Sequence, residues 1–330
     1  MQVAARAGVS KTTAGYVLTG RDHDMRIGEE TRHRVLRAAA EMNYRPNLMA
    51  RSLHTPVDRP IALISDTLVT EPYGGELLQG CLTAAAARGR LTLIGETRRD
   101  RRLEAALVEQ FLAEQVTAFI LATVYPREVP LPRQHHGRVV TLNCVATDLP
   151  ASAVLPDEVE GGRMAARTLL EAGHRDRVYL MGDRAPHPYA PGRDRERGLA
   201  EVLGQAGTKL AGALDCAWEP EAAYEALSSA LRMGLRPTAL VCLNDRVALG
   251  VYQALAEAGL EVPAEVSVLC FEGSQLAAWL RPAVTSVDRS LEAMGRRAVE
   301  LLLATDPPDR PTYLPMTLRR HASVGPPPGP

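Results

Sequence analysis

Two rhythms divide the chain. From residue 3 to residue 42 the apolar positions recur at three- and four-residue spacing, the mark of helices with one buried face. "VAARA" predicts a short first helix, and Gly8 suits a sharp turn because glycine takes positive φ at no steric cost. Ser10 reads as the N-cap of a second helix whose inward face is Val9, Ala14, Val17 and Leu18. "EETRHRVLRAAAEMNY" predicts a third helix with Val35, Leu36, Ala39 and Met42 inward, and with Glu29 and Glu30 at the positive end of its dipole. Pro46 breaks the chain, "PNLMARSLHT" has one or two turns of helical character, and Pro56 and Pro60 mark a boundary.

From Ile61 the rhythm changes. "IALIS", "RLTLIG", "AFILATV" and "RVVTLN" are short apolar runs, with amphipathic stretches at 75–88 and 102–114 between the first three. A second series follows: a helix at 161–172, "RVYLMG", a helix at 194–206, "TALVCLN", a helix at 245–258 and "VSVLCF". Such alternation predicts βαβ units on parallel sheets, and two series predict two similar lobes. "GPPPGP" at the end can build no core and reads as an unstructured tail.

Bulk properties narrow the class. At 330 residues the chain has material for two or three domains. No apolar run approaches the ~20 residues of a membrane span, and "MQVAARAGVS" lacks the charged-then-apolar order of a secretory signal. The expectation is a cytoplasmic protein with no membrane partner. Cys81, Cys144, Cys216, Cys242 and Cys270 stand singly, which reads as buried small hydrophobes rather than a disulfide framework. The net charge of -1 hides an asymmetry: residues 1–59 carry ten Arg or Lys against six Asp or Glu. A basic head on an acidic body suits a polyanionic partner.

The second helix sharpens that suggestion. Its leading face carries Lys11, Thr12 and Tyr16, and Gly15 interrupts its middle. Polar residues at the front of a short, weakened helix pack no core. Helix, tight Gly-containing turn and second helix with a polar front form a helix-turn-helix, whose leading side chains reach base edges in the major groove of double-stranded DNA. Lys11, Thr12 and Tyr16 are then candidate base contacts. Thr13 and the helix N-terminus are candidate phosphate contacts, and Gly15 allows close approach of backbone to duplex.

The segments "VAARAGVSKTTAGYVLTG", "RVLRAAAEMNYRPNLMARSL", "GHRDRVYLMG", "CLNDRVALGVYQAL", "VPAEVSVLCFEG" and "VTSVDRSLEAMGRRAVELLL" together resemble the lactose-repressor (LacI/GalR) family of bacterial transcription regulators, from residue 2 to about 323. The resemblance implies an all-α helix-turn-helix head, a hinge helix, and an α/β periplasmic-binding-protein-like body of two parallel-sheet lobes. It also implies a homodimer on a pseudo-palindromic operator and a small-molecule effector between the lobes. The hinge would span Pro46 to about His54. Leu53 would be a leucine wedge in the minor groove, with Asn47, Ala50 and Arg51 beside it on the DNA. Tyr16 and Gly15 stand where many members carry Arg and Ser, so the operator need not follow the commonest consensus.

In a parallel α/β lobe, ligands sit beyond the C-terminal ends of the strands. Asn143, Asn244 and Glu272 each follow an apolar run there. Asp245 reads as the N-cap of the helix behind it. Trp218 is an aromatic face for the C–H side of a sugar. The resemblance adds Tyr73 and Arg195 to the effector candidates.

No H-E-x-x-H, G-x-S-x-G, Walker loop or G-x-G-x-x-G after the first strand occurs. Tandem His135 and His136 have no spaced acidic partner, so neither metal nor cofactor is expected, nor an enzyme. A transporter's solute-binding protein is the competitor from another class, and the basic head disfavours it. The expected division is a DNA-binding domain at 1–45, hinge and linker at 46–59, and a ligand-binding and dimerisation domain at 60–330. Lobe one would hold about 60–158 and 289–314, lobe two about 159–288 and 315–324, and 325–330 the tail. A strand follows the last helix with no heptad repeat, so a dimer is expected rather than a tetramer. The expected function is a repressor whose operator affinity a small molecule controls. A carbohydrate is the first reading; a nucleoside, or an activating or corepressor-dependent mode, is the alternative.

Overall fold

The computed structural model describes residues 2–20, 22–44, 59–71, 74–131, 137–148, 150–184 and 191–329. The head packs α1 (Gln2–Ala7), α2 (Lys11–Leu18) and α3 (Glu29–Glu41) around Val3, Ala4, Ala7, Ala14, Val17 and Val35. Gly8 turns the chain at φ +62°, and the Ser10 side chain caps α2 by accepting from the Thr13 amide at 3.0 Å. An ion pair of 2.9 Å between Arg6 and Glu41 ties α1 to α3. The inward face of α3 is Val35, Ala38 and Ala39, at i, i+3 and i+4. Leu36 and Met42, expected inward, are exposed: Leu36 is next in sequence to Val35 and so about 100° off the stripe, while Met42 keeps the spacing but is the C-cap, past the last turn of the helix.

The body has two six-stranded sheets. The first, in spatial order, contains β11 (Pro311–Leu314), β5 (Ser152–Pro156), β4 (Arg138–Ala146), β3 (Ala118–Val129), β1 (Ile61–Ser65) and β2 (Thr92–Glu96), all parallel. The second contains β12 (Thr317–Arg319), β10 (Thr285–Asp288), β9 (Ser267–Glu272), β8 (Ala239–Cys242), β6 (Val178–Met181) and β7 (Gly212–Leu214). There only β12 runs antiparallel to its neighbour. The central strands are near-continuous apolar runs because helices cover both faces. Those of the first sheet are α4 (Gly74–Ala86), α5 (Arg101–Ala113) and α11 (Leu291–Leu303). The second sheet has α6 (Glu158–Glu171), α7 (Pro191–Gln205), α8 (Pro220–Arg232), α9 (Asp245–Glu257) and the short α10 (Gln275–Trp279).

The chain passes between the sheets three times: from β5 into α6, from β10 into α11, and from β11 into β12. These crossings place the end of one lobe against the start of the other. α8, over "PEAAYEALSSALR", is absent from the sequence expectation; it starts with Pro220 at its first turn, where the missing N–H is no loss. The tail also departs from expectation. Gly325 donates to Ser267 Oγ at 3.0 Å, its carbonyl accepts from the same hydroxyl at 3.1 Å and contacts His174 Nε2 at 3.0 Å, and Pro327 lies over Gly173. Its glycine and proline composition left the tail without a core of its own, but lobe two supplies one. Four of the five cysteines are buried and Cys216 half-buried; burial pushes the Cys81 and Cys144 thiols up to about 12. Among the described residues no helix is long and apolar enough to cross a membrane.

Candidate functional site

The first candidate surface is the front of α2. Lys11 and Thr12 are exposed at its N-terminus, while Ala14 and Val17 hold the opposite face in the core. Tyr16 is half-buried beside them. Thr13 is less free than its sequence position suggested, because its hydroxyl pairs with Ser10 Oγ at 2.8 Å. A Cβ at Gly15 would meet nothing within 4 Å, so glycine there leaves a shallow, open strip along the helix front. Asn47, Ala50, Arg51 and Leu53, with the hinge, lie outside the described residues, as do Tyr73, His135 and His136.

The second candidate lies where the lobes meet. α6 and α7 cross with their backbones in contact: a Cβ on Gly162 would lie 2.1 Å from the Arg195 carbonyl oxygen, and one on Gly198 would lie 2.0 Å from that of Val159. Only glycine permits this approach. It seats Arg195, on α7, against Glu158, the first residue of α6. Arg195 Nε and Nη2 donate to the two Glu158 oxygens at 2.6 and 3.0 Å. Nη2 also reaches Glu272 Oε1 at 3.3 Å, and Nη1 donates to the Leu243 carbonyl. The guanidinium sits 4.5 Å from the Phe271 ring centroid and 5.5 Å from that of Trp218. Arg195, an effector candidate through the resemblance, is fully buried.

Glu272 ends β9 and takes a second guanidinium, from Arg289 Nη1 at 2.8 Å. Arg289 Nη2 donates to Asn143 Oδ1 at 2.9 Å. Asn143 belongs to the first sheet and Glu272 to the second, so Arg289 bridges the lobes. Burial alone would raise the Glu272 carboxyl; Arg289 and Arg195 outweigh it and hold it below its ordinary value. Burial likewise works against the charge on Arg195, and Glu158 and Glu272 more than offset it.

Asn143 owes its place to an irregularity. The β3–β4 register jumps from Ala122 opposite Leu142 to Arg127 opposite Cys144, so four residues of β3 face Asn143 alone. Its backbone takes φ +58°. Its amide nitrogen donates to the carbonyls of Thr123 and Val124 at 2.9 and 2.7 Å, closing the bulge. Only Oδ1 is left to face the other lobe.

The other expected effector residues are distributed unevenly. Trp218 is half-buried next to Arg195, with Nε1 donating to the Asp183 carbonyl at 3.2 Å. Asn244 is structural at both ends: Oδ1 caps α9 by accepting from the Val247 amide at 2.7 Å, and Nδ2 donates to the Trp218 carbonyl at 3.3 Å. The cap is therefore Asn244 and not Asp245, because Asp245 is already the first helical residue; its carboxylate accepts from the Ser274 hydroxyl instead. Lobe-to-lobe contact is reinforced by Arg246 on α9, which pairs with Glu71 of lobe one at 3.2 Å. The sequence reading missed Glu158 and Arg289. Each sits at a chain crossing, and that position, next to the switch of sheets, was the available signal.

A polar-fronted helix-turn-helix joined to two parallel-sheet lobes with a charged junction defines a DNA-binding regulator with an effector-binding body. Comparison with known proteins agrees. Residues 1–47 match the model of bacterial regulatory proteins of the lacI family, and residues 166–324 that of a periplasmic binding protein-like domain. The HTH-type transcriptional repressor PurR of Erwinia tasmaniensis is 30% identical over 310 residues, covering 91% of this chain and 88% of that protein. The HTH-type transcriptional regulator AscG of Escherichia coli is 30% identical over 296 residues, covering 87% and 85%. The lac repressor dimer bound to operator and the anti-inducer ONPF shares the fold, with TM-score 0.80, 22% identity and 98% of each chain covered. The transcriptional regulator CelR in complex with cellobiose gives TM-score 0.67 at 25% identity, again over 98% of each chain. The chain belongs to the lacI family of bacterial regulatory proteins. It is a DNA-binding transcriptional regulator and not an enzyme.

Proposed function

We propose that this regulator is a cytoplasmic repressor, active as a homodimer, whose operator affinity is set by a carbohydrate held between its lobes. The observation that carries the effector reading is the polar chain crossing the lobe junction, from Asn143 through Arg289 and Glu272 to Arg195 and Glu158. Trp218 and Phe271 flank it. Vicinal hydroxyls need paired donors and acceptors beside an apolar ring, and that is the chemistry assembled here. CelR with cellobiose supports the same class. A nucleoside is the second reading, favoured by the same aromatic rings.

Large apolar side chains exposed on lobe one (Leu82, Leu91 and Ile94) and on lobe two (Trp279) are surfaces a second copy would cover. On DNA, the family's hinge wedge falls to Leu53. Burying a leucine is worth ~1.5–3 kcal/mol, so Leu53→Ala should weaken operator binding by about 1–3 kcal/mol and reduce bending, leaving nonspecific binding nearly unchanged. Circular-permutation gel shifts decide it; an unchanged bend with unchanged affinity removes the wedge. The effector reading is tested with operator selected from random duplexes. Sugars and nucleosides are titrated into the complex, and Trp fluorescence is followed in the wild type, Trp218→Phe and Trp279→Phe. The response should vanish only with Trp218. If no compound releases or tightens the operator complex, effector control is wrong.

A further inference from the structure

Arg289 is 3% exposed and two of its three guanidinium nitrogens are committed, Nη1 to Glu272 and Nη2 to Asn143. The third is different. Nε is buried and has no hydrogen-bond partner. Glu158 Oε1 is 4.0 Å from it, within reach of an ion pair and too far for a hydrogen bond. An unmade hydrogen bond from a buried guanidinium is costly, and this one lies at the lobe junction. A charged donor therefore faces a charged acceptor across a gap that a single oxygen could span from the side.

The geometry points to Arg289 and Glu158 as a specificity-determining pair for the effector, selecting an uncharged polyol over its anionic counterpart. This rests on the proposed effector cleft and names the chemistry it admits. A hydroxyl oxygen accepts from Arg289 Nε–H and donates its own proton to Glu158 Oε1. A carboxylate or phosphate oxygen accepts from Arg289 but has no proton for Glu158, and meets that carboxylate as a like charge.

The charge balance points the same way. Arg195, Arg289, Glu158 and Glu272 form a neutral quartet, so an added anion enters a buried site with nothing left to compensate it. Because Nε is shielded in the present arrangement, a ligand reaches it when the lobes part.

The test uses full-length protein and matched probes: cellobiose, D-glucose, D-ribose and adenosine against cellobiose 6'-phosphate, glucose 6-phosphate, ribose 5-phosphate and adenosine 5'-monophosphate. Thermal shift finds responders and calorimetry gives their Kd. At least one neutral member should bind, with its anionic partner about tenfold weaker or worse. Arg289→Lys keeps the charge and loses the Nε–H, and should weaken the neutral ligand by about tenfold, the scale of one hydrogen bond to a charged group. Glu158→Gln removes the repelling carboxylate and should narrow the neutral-to-anion ratio, which a purely structural role would leave alone. Ligand-free melting checks that each variant folds; if Arg289→Lys does not, the ratio in Glu158→Gln decides. An anion that binds as tightly as its neutral partner overturns the inference, as does an unaltered ratio in Glu158→Gln. So does silence from every neutral member while an anion responds, a result that leaves effector control intact. Silence from the whole panel, in binding and in operator release, overturns both.

Discussion

Glu272 shows how single residues here are held by distant partners. It accepts from Arg289 and Arg195 in a buried site where either cation alone would leave charge uncompensated. Removing one member of such a group typically costs about 3–5 kcal/mol, so Glu272→Gln should lower the neutral-pH melting temperature clearly. The pH dependence has a definite sign. The folded carboxyl titrates below its ordinary 4.5, so its stabilisation is complete above that value and is lost as pH falls through the folded value. Melting from pH 7 to pH 3 should show a steeper acid limb in the wild type than in Glu272→Gln; equal limbs would assign the acid sensitivity elsewhere. Gly8 makes the opposite kind of demand, purely local. At φ +62° an alanine should cost the head about 1 kcal/mol or more, read by urea denaturation of the head's helical signal. Local demands such as Gly8 and Ser10 could be read from neighbouring residues. For Arg289 only its place at a lobe boundary could be read; its partner Asn143 is 146 positions away, and only the completed fold brings them together.

Helices and strands were legible wherever period and punctuation agreed. The βαβ rhythm follows from apolar runs bounded by amphipathic stretches, and the observed β1, β8 and β9 fall on those runs. Edges were not legible. β7 and β12 are three residues each, too short for a period, and they form by adding to an existing sheet rather than by their own pattern. The twelve-residue β3 was read as seven because Pro126 sits in its bulge, where a strand needs no N–H. Two helix-level outcomes follow from the contacts. Gly162→Ala forces a Cβ to 2.1 Å from the Arg195 carbonyl oxygen, so α6 and α7 must separate. About 1–3 kcal/mol of stability should go, together with effector affinity, since the Glu158–Arg195 pair rides on that crossing. Ser10→Ala removes the cap of α2 and should cost the head about 1 kcal/mol, weakening DNA binding more than ligand binding. Thermal melts paired with operator and ligand titrations separate the two variants; loss of both activities in both variants would contradict this division.

Across the whole molecule, the proposed function assigns affinity for DNA to the head and control to the lobe junction. Three chain crossings join the lobes, and Glu158 and Arg289 stand at two of them, so a ligand at the junction acts on the residues that fix how the lobes meet. If ligand changes operator affinity by some factor, operator must change ligand affinity by the same factor. The most direct measurement is therefore a pair of titrations on one selected operator, with and without the released effector, repeated over a range of salt. The account predicts a steep fall of log K with log salt, roughly -0.9 for each phosphate neutralised. At each salt concentration it also predicts a saturating shift in operator affinity that the reciprocal ligand titration reproduces. Operator binding that ignores salt, or a ligand that binds the junction with equal affinity in free and DNA-bound protein, would contradict it.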